Sequence, residues 1–124
     1  MARVEIVDGT LKIELSLLDQ LLSFHGSLEM PLSHVTNAFV SDFEDLELQN
    51  KLTGFGPGFV KMAGIFANPK GLIFCDIGGE ADCLVIETRG ERFPQIAVTL
   101  EGTVDANALA HEIMQKIPDS GPVD

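Results

Sequence analysis

The sequence predicts a mainly β, α+β chain of about seven strands closed by a C-terminal helix. Three observations carry that prediction. Apolar and polar residues alternate over short runs, turn-forming pairs separate those runs at hairpin spacing, and a helical apolar period is confined to two segments. At 124 residues, 45% of them hydrophobic, the chain fits one domain with one core, since two smaller pieces would each bury too little. Residues 1–118 are expected to form that domain and residues 119–124 a frayed tail.

Taken in order, residues 3–7 and 10–15 alternate on either side of Asp8-Gly9, a strong hairpin turn. Ser16 stands three residues before Asp19, a capping-like pair, and Leu17, Leu18, Leu21, Leu22 and Phe24 follow in a short helix ending at Gly26. Alternation returns over residues 27–40 as two short strands broken near residues 33–37, with Pro31 marking an edge or bend. Residues 42–47 and 53–59 interrupt the pattern, the second with Gly54, Gly56, Pro57 and Gly58 close together.

Beyond that irregular region come strands over residues 60–67, 72–77, 83–88 and 95–100. They are separated by turns at residues 68–71, 78–80 and 89–91, and read as four antiparallel strands in succession, a meander. Thr103 or Asp105 caps a final helix whose Ala106, Leu109, Ala110, Ile113, Met114 and Ile117 recur at helical spacing before Pro118 stops it. Such an order occurs in barrels and sandwiches whose open end a helix covers.

Charge narrows the partners. With 19 acidic against 8 basic residues the formal charge is -11, which works against nucleic acid and anionic lipid. Lys12, Lys51, Lys61, Lys70, Arg89 and Arg92 are scattered among more numerous carboxylates. No apolar run reaches the roughly 20 residues of a membrane-spanning helix, and the N-terminus lacks the apolar stretch of a signal peptide, so the expected location is cytoplasmic.

Several residues invite a chemical reading. The Gly54 to Gly58 loop has glycines like a phosphate cradle, but Gly-Lys-Ser/Thr is absent and Pro57 removes a donor, so a turn or bulge is the plainer reading. Phe55 and Phe59, with Gly56 and Pro57 between them, form a candidate binding lip, against the alternative that both rings anchor the core. Cys75 and Cys83 stand four residues either side of Gly79, so a regular hairpin would place them opposite each other. A reducing compartment favours free thiols there, with a cross-strand disulfide as the lesser alternative.

His25, His34 and His111 show no metal spacing, and His34 is a candidate base within reach of Asp42. The acidic run Asp42, Glu44, Asp45 and Glu47 lacks the spacing, the glycine and the final glutamate of a calcium loop, and reads as a solvated negative face. No metal or other cofactor is implied, and no catalytic signature is present.

Four motifs in series carry a family resemblance: Met30-Pro31-Leu32-Ser33-His34-Val35, the Gly54 to Gly58 loop, Lys61-Met62-Ala63-Gly64-Ile65-Phe66, and Leu84-Val85-Ile86-Glu87-Thr88. Together with Ile73-Phe74-Cys75-Asp76 they resemble a bacterial PH-like family over residues 3–117. Cys75 departs from it, standing where an aromatic residue, often Trp, is expected. The resemblance implies a PH-type bent antiparallel barrel of about seven strands with one end capped by the C-terminal helix. It transfers no catalytic residue.

The function expected is a non-catalytic binding module that takes a protein partner or another copy of itself. It would use a sheet edge, the groove between helix and barrel, or the Phe55/Phe59 lip. The alternative is a small-molecule carrier or acid/base enzyme with an apolar pocket, using His34 with Asp76 or Asp42.

Overall fold

Two residues in the left-handed region, Asp8 at φ 51° and Gly9 at φ 76°, turn the chain between β1 (Ala2–Val7) and β2 (Thr10–Leu15). A two-residue turn of this hand matches the twist of its strands, and it sets a register running from Val7 opposite Thr10 to Ala2 opposite Leu15. β3 (Leu28–Pro31) lies on the other side of β2, giving a three-stranded sheet in the order β1-β2-β3. The predicted first hairpin is therefore present. The computed structural model describes residues 2–15, 26–42, 46, 50–55, 61–78, 82–102 and 104–118, with the backbone alone at residues 50–55, 61 and 62. The predicted short helix before Gly26 and the predicted tail lie outside the described residues.

After a single 3-10 turn at Leu32–His34 the chain enters the second sheet. Its strands are β4 (Val35–Ser41), β5 (Asn50–Phe55), β6 (Lys61–Asn68), β7 (Gly71–Gly78), β8 (Cys83–Thr88) and β9 (Gln95–Val98). Their order is β4-β8-β9-β7-β6-β5. This corrects the expected meander: β9 lies between β7 and β8, antiparallel to β8 and parallel to β7. The reason is long-range pairing. β4 occupies one edge of β8, so the hairpin from β8 folds back on its other side, where Thr88 N donates to Pro94 O at 3.0 Å. Local alternation reports that a strand exists, not which edge it fills.

A second correction concerns residues 50–55. They form a strand on β6, with Gly54 opposite Gly64 and a register shift between Lys51 and Thr53, where part of an irregular loop was expected. Its glycine does not prevent this, because the free edge of β6 pairs with backbone regardless of side chain. The described residues thus hold nine strands in two sheets, where about seven in one bent barrel were expected, and the sheets do not close into a barrel among those residues. The sheets meet at Ala2, whose N–H donates to Thr99 O and whose carbonyl accepts from Glu101 N, both at 2.9 Å.

One core joins the inner face of the first sheet (Leu11, Ile13, Leu15, Met30) to Phe74, Leu84, Ile86, Ile96 and Val98 of the second, and to the helix α1 (Ala106–Lys116). Asp105 caps α1, as predicted, by accepting from the amides of Asn107 at 2.9 Å and Ala108 at 3.2 Å. Ala110 and Ile113 of its apolar stripe are buried, whereas Met114 is exposed. The other face of the second sheet holds a smaller cluster of Phe66, Ile73, Cys75, Ile77, Cys83, Val85 and Ala97 against Leu46. Strands buried on both faces read as continuous apolar runs, which is the pattern of Cys83–Ile86. Among the described residues no helix is long and apolar enough to cross a membrane.

Candidate functional site

The polar groups offered as an acid/base pair are held apart. His34 and Asp42 flank the seven-residue strand β4, which separates them by more than roughly 20 Å at strand rise. This corrects the expectation that they lie within reach. His34 Nδ1 instead meets Glu91 Oε2 at 2.6 Å. Asp76 is fully buried, level with Val98 and Leu84, while Val35 beside His34 pairs with Thr88, four residues farther along β8. That offset alone is roughly 13 Å.

Cys75 and Cys83 are free, buried thiols. The hairpin that would have set them opposite each other does not form, because β9 stands between β7 and β8. Cys75 is level with Ala97 and Val85, and Cys83 lies two residues beyond Val85. Two strand spacings and that offset put their Cα atoms roughly 11 Å apart, beyond the 7 Å or so that a disulfide spans. Burial, then the neighbouring Cys83 and Asp76 charges, pushes the Cys75 thiol far up. Burial and Asp82 push Cys83 up to about 11.

Of the candidate lip, Phe55 contributes its backbone to β5 opposite Ala63. Gly56, Pro57 and Phe59 lie outside the described residues, as do His25, Glu44, Asp45 and Glu47. His111 is exposed on α1. Four of the described basic side chains have local neighbours. Lys70 Nζ binds Glu87 Oε2 at 2.9 Å, Arg89 donates to Ser33 O at 3.2 Å, Arg92 lies 5.0 Å from the centre of the Phe93 ring, and Lys12 faces Glu5 across the β1–β2 ladder.

Two of the cavities among the described residues are large enough for a ligand. One, of about 370 Å³, lies over the outer face of the second sheet and is lined by Phe39, Leu46, Asn68, Lys70 and Gln95 among others. Its polar groups already satisfy each other. The Asn68 amide donates to Leu46 O at 3.0 Å and Gln95 Oε1 at 2.6 Å, and Gln95 Nε2 donates to Glu87 Oε2 at 3.0 Å. That network is a clasp holding the β6–β7 turn to β8 and β9.

The second cavity, about 350 Å³, is apolar and lies between the start of β1, the chain after β9 and α1, lined by Ala2, Val4, Leu100, Val104 and Leu109 with Arg3 and Glu101 at its mouth. It adjoins an unfilled sheet edge. In an antiparallel pair alternate residues turn their N–H and C=O toward the partner and away from it. Ala2 directs both groups away from β2, to Thr99 and Glu101. By the same parity Val4 and Ile6 direct theirs outward, and among the described residues no strand pairs with that edge beyond Ala2. Their side chains are half-buried and pack against the main core.

The outer face beside this edge is acidic. Arg3 NH2 donates to Glu14 Oε2 at 2.8 Å, and with Glu14, Glu5 and Glu101 around it the guanidinium is held above its ordinary value. Glu14, contacted by Glu5 and Arg3, is held below the usual carboxylate range. From sequence the β1 edge reads only as a generic sheet edge, although the Asp8-Gly9 turn already carries its parity: Val7 and Thr10 close the hairpin, so the backbone groups of the even residues of β1 point away from β2. Comparison of the chain with protein-family models, with curated proteins and with solved structures finds no match.

Proposed function

We propose that this chain is a non-catalytic binding module on a PH-like scaffold, and that it takes an extended protein segment as an added strand on β1. The carrying observation is the outward N–H and C=O groups of Val4 and Ile6 beside an apolar groove. Main-chain hydrogen bonds give such a site its affinity, and a neighbouring pocket for alternate side chains gives it selectivity. Support for the scaffold comes from the β-rich order and from a C-terminal helix packed on β4 and β8. Binding is favoured over acid/base chemistry because His34 and Asp42 lie at opposite ends of β4 and Asp76 is buried within β7, away from His34.

The test is selection of short peptides from a random display library, followed by amide shift mapping on the labelled protein. Extended, β-forming peptides that move the Val4 and Ile6 amides most are the expected result. Selected peptides that map to α1 or to the β6–β7 turn and leave β1 unmoved would sink the proposal.

A further inference from the structure

The geometry points to the chemistry of the segment, and this inference rests on the reading of the β1 edge as the docking site. The segment is basic and alternating: apolar residues stand opposite Val4 and Ile6, and a lysine or arginine stands opposite Glu5.

The register follows from the strand. A new strand beside β1 shares its pleat, so residues opposite Val4 and Ile6 point to the half-buried face and those between point to the outer face. The site is bounded. Leu100 already bridges Ala2 at one end, and the Asp8-Gly9 turn ends the strand at the other. Residues 3–7 remain, with four outward backbone groups on Val4 and Ile6. The apolar groove continues from Val4 to Leu100, Val104 and Leu109, and Val104 is 54% exposed.

Charge selects the occupant. The outer face of the first sheet carries Glu5, Glu14 and Glu29 against Arg3 and Lys12, and Glu101 adds a fourth carboxylate at the groove mouth. Arg3 is already engaged by Glu14. A side chain placed opposite Glu5 therefore meets an excess of negative charge, and unlike charges directly opposite on neighbouring strands attract. A second copy of this chain is a poor fit, because each copy brings a formal charge of -11. Glu5 facing Glu5 across a symmetric β1 pair would repel.

The test uses three short labelled peptides of one length, alternating valine with lysine, with serine or with glutamate, titrated by fluorescence anisotropy. The lysine peptide is expected to bind a few-fold tighter than the serine peptide at low salt, the worth of one exposed cross-strand charge pair with Glu5. The glutamate peptide should bind weakest, and added salt should narrow the spread. Glu5→Lys should reverse the order of the lysine and glutamate peptides.

Val4→Pro removes one outward N–H without touching the β1–β2 ladder, since proline is accepted on the free side of an edge strand. It should weaken all three peptides several-fold. N-methylation of the lysine peptide at its ladder-facing amides, on the unaltered protein, should do the same, so the result does not depend on how that variant folds. Equal binding of lysine and serine peptides, both weakened by Val4→Pro, would overturn the basic specificity and leave strand addition standing. Lysine-peptide binding indifferent to N-methylation and to Val4→Pro would overturn the docking site itself. A dimer that Val4→Pro dissolves would show a second copy in place of the basic segment and overturn the inference.

Discussion

The sulfur of Met114 on α1 lies 3.3 Å from the backbone N–H of Ala38 on β4. β4 is an edge strand, and the helix laid over it makes that edge different from β1, where Val4 and Ile6 face no strand among the described residues. The Ala38 amide also donates to Asn37 Oδ1 at 2.9 Å, so the sulfur is a second acceptor. Met114→Ala should therefore cost no more than about 1 kcal/mol. Ile113→Ala, one residue earlier and fully buried, should cost about 2–5 kcal/mol. Urea midpoints of the two variants check the contrast, and equal losses would mean that α1 is held by its edge contact as much as by its core residue.

Glu87 ties acid stability to the clasp. Partial burial pushes its carboxyl up, but hydrogen bonds from Lys70, Gln95 and Asn37 outweigh that and hold it below its ordinary value. A depressed carboxyl contributes stability that is complete above its unfolded value and is lost as pH falls through the folded one. Glu87→Gln should thus destabilise the protein by about 1 kcal/mol near neutral pH, a modest figure because the Lys70 ammonium is solvent-exposed. The difference in urea midpoint should shrink as pH falls below the ordinary carboxylate range and through the depressed folded value, where the wild-type side chain itself becomes neutral. A gap that persists in acid would locate the loss in shape rather than charge.

The thiols should be inert in the native state. Thiolate is the reactive form, and Cys83 at about 11 and Cys75 higher still present little of it at neutral pH. Alkylation followed by mass spectrometry should label both slowly in buffer and rapidly in urea, with no intramolecular disulfide after mild oxidation. A Cys75–Cys83 disulfide formed without unfolding would contradict the placement of β9 between their strands.

Gly9 carries the first hairpin. At φ 76° it holds a conformation that costs an L side chain about 1–2 kcal/mol, so Gly9→Ala should lower stability by about 1 kcal/mol or more. Nothing lies within 4 Å of a Cβ added there, which makes the loss one of backbone conformation. Thermal unfolding of Gly9→Ala beside Gly26→Ala, where the space is equally open and φ is not positive, separates the two causes.

Legibility followed locality. The Asp8-Gly9 hairpin, the Asn68–Gly71 turn and the Asp105-capped helix were readable because each depends on a few adjacent residues. β9 was readable as a strand but not as the neighbour of β7, since its pairing with Ile73–Asp76 spans some twenty residues and no local pattern encodes it. Asn50 to Phe55 was missed for a related reason: its glycine and polar residues lack strand character, and the edge of β6 supplies it. For the candidate site, the outward parity of Val4 and Ile6 was implicit in the turn, whereas the placement of Leu100, Val104 and Leu109 beside them depends on the whole fold.

The four residues of β9 have a consequence for synthesis. Without them the second sheet falls into a two-stranded piece, β4-β8, and a three-stranded piece, β7-β6-β5. A nascent chain that has emerged only as far as residue 94 therefore carries two raw strand edges, on β7 and on β8, flanked by the apolar runs 72–75 and 83–86. Exposed edges of this kind recruit other chains. A pause in translation before residue 95, or a truncation there, should yield an aggregating product, and the arrival of β9 is the step that ends that exposure.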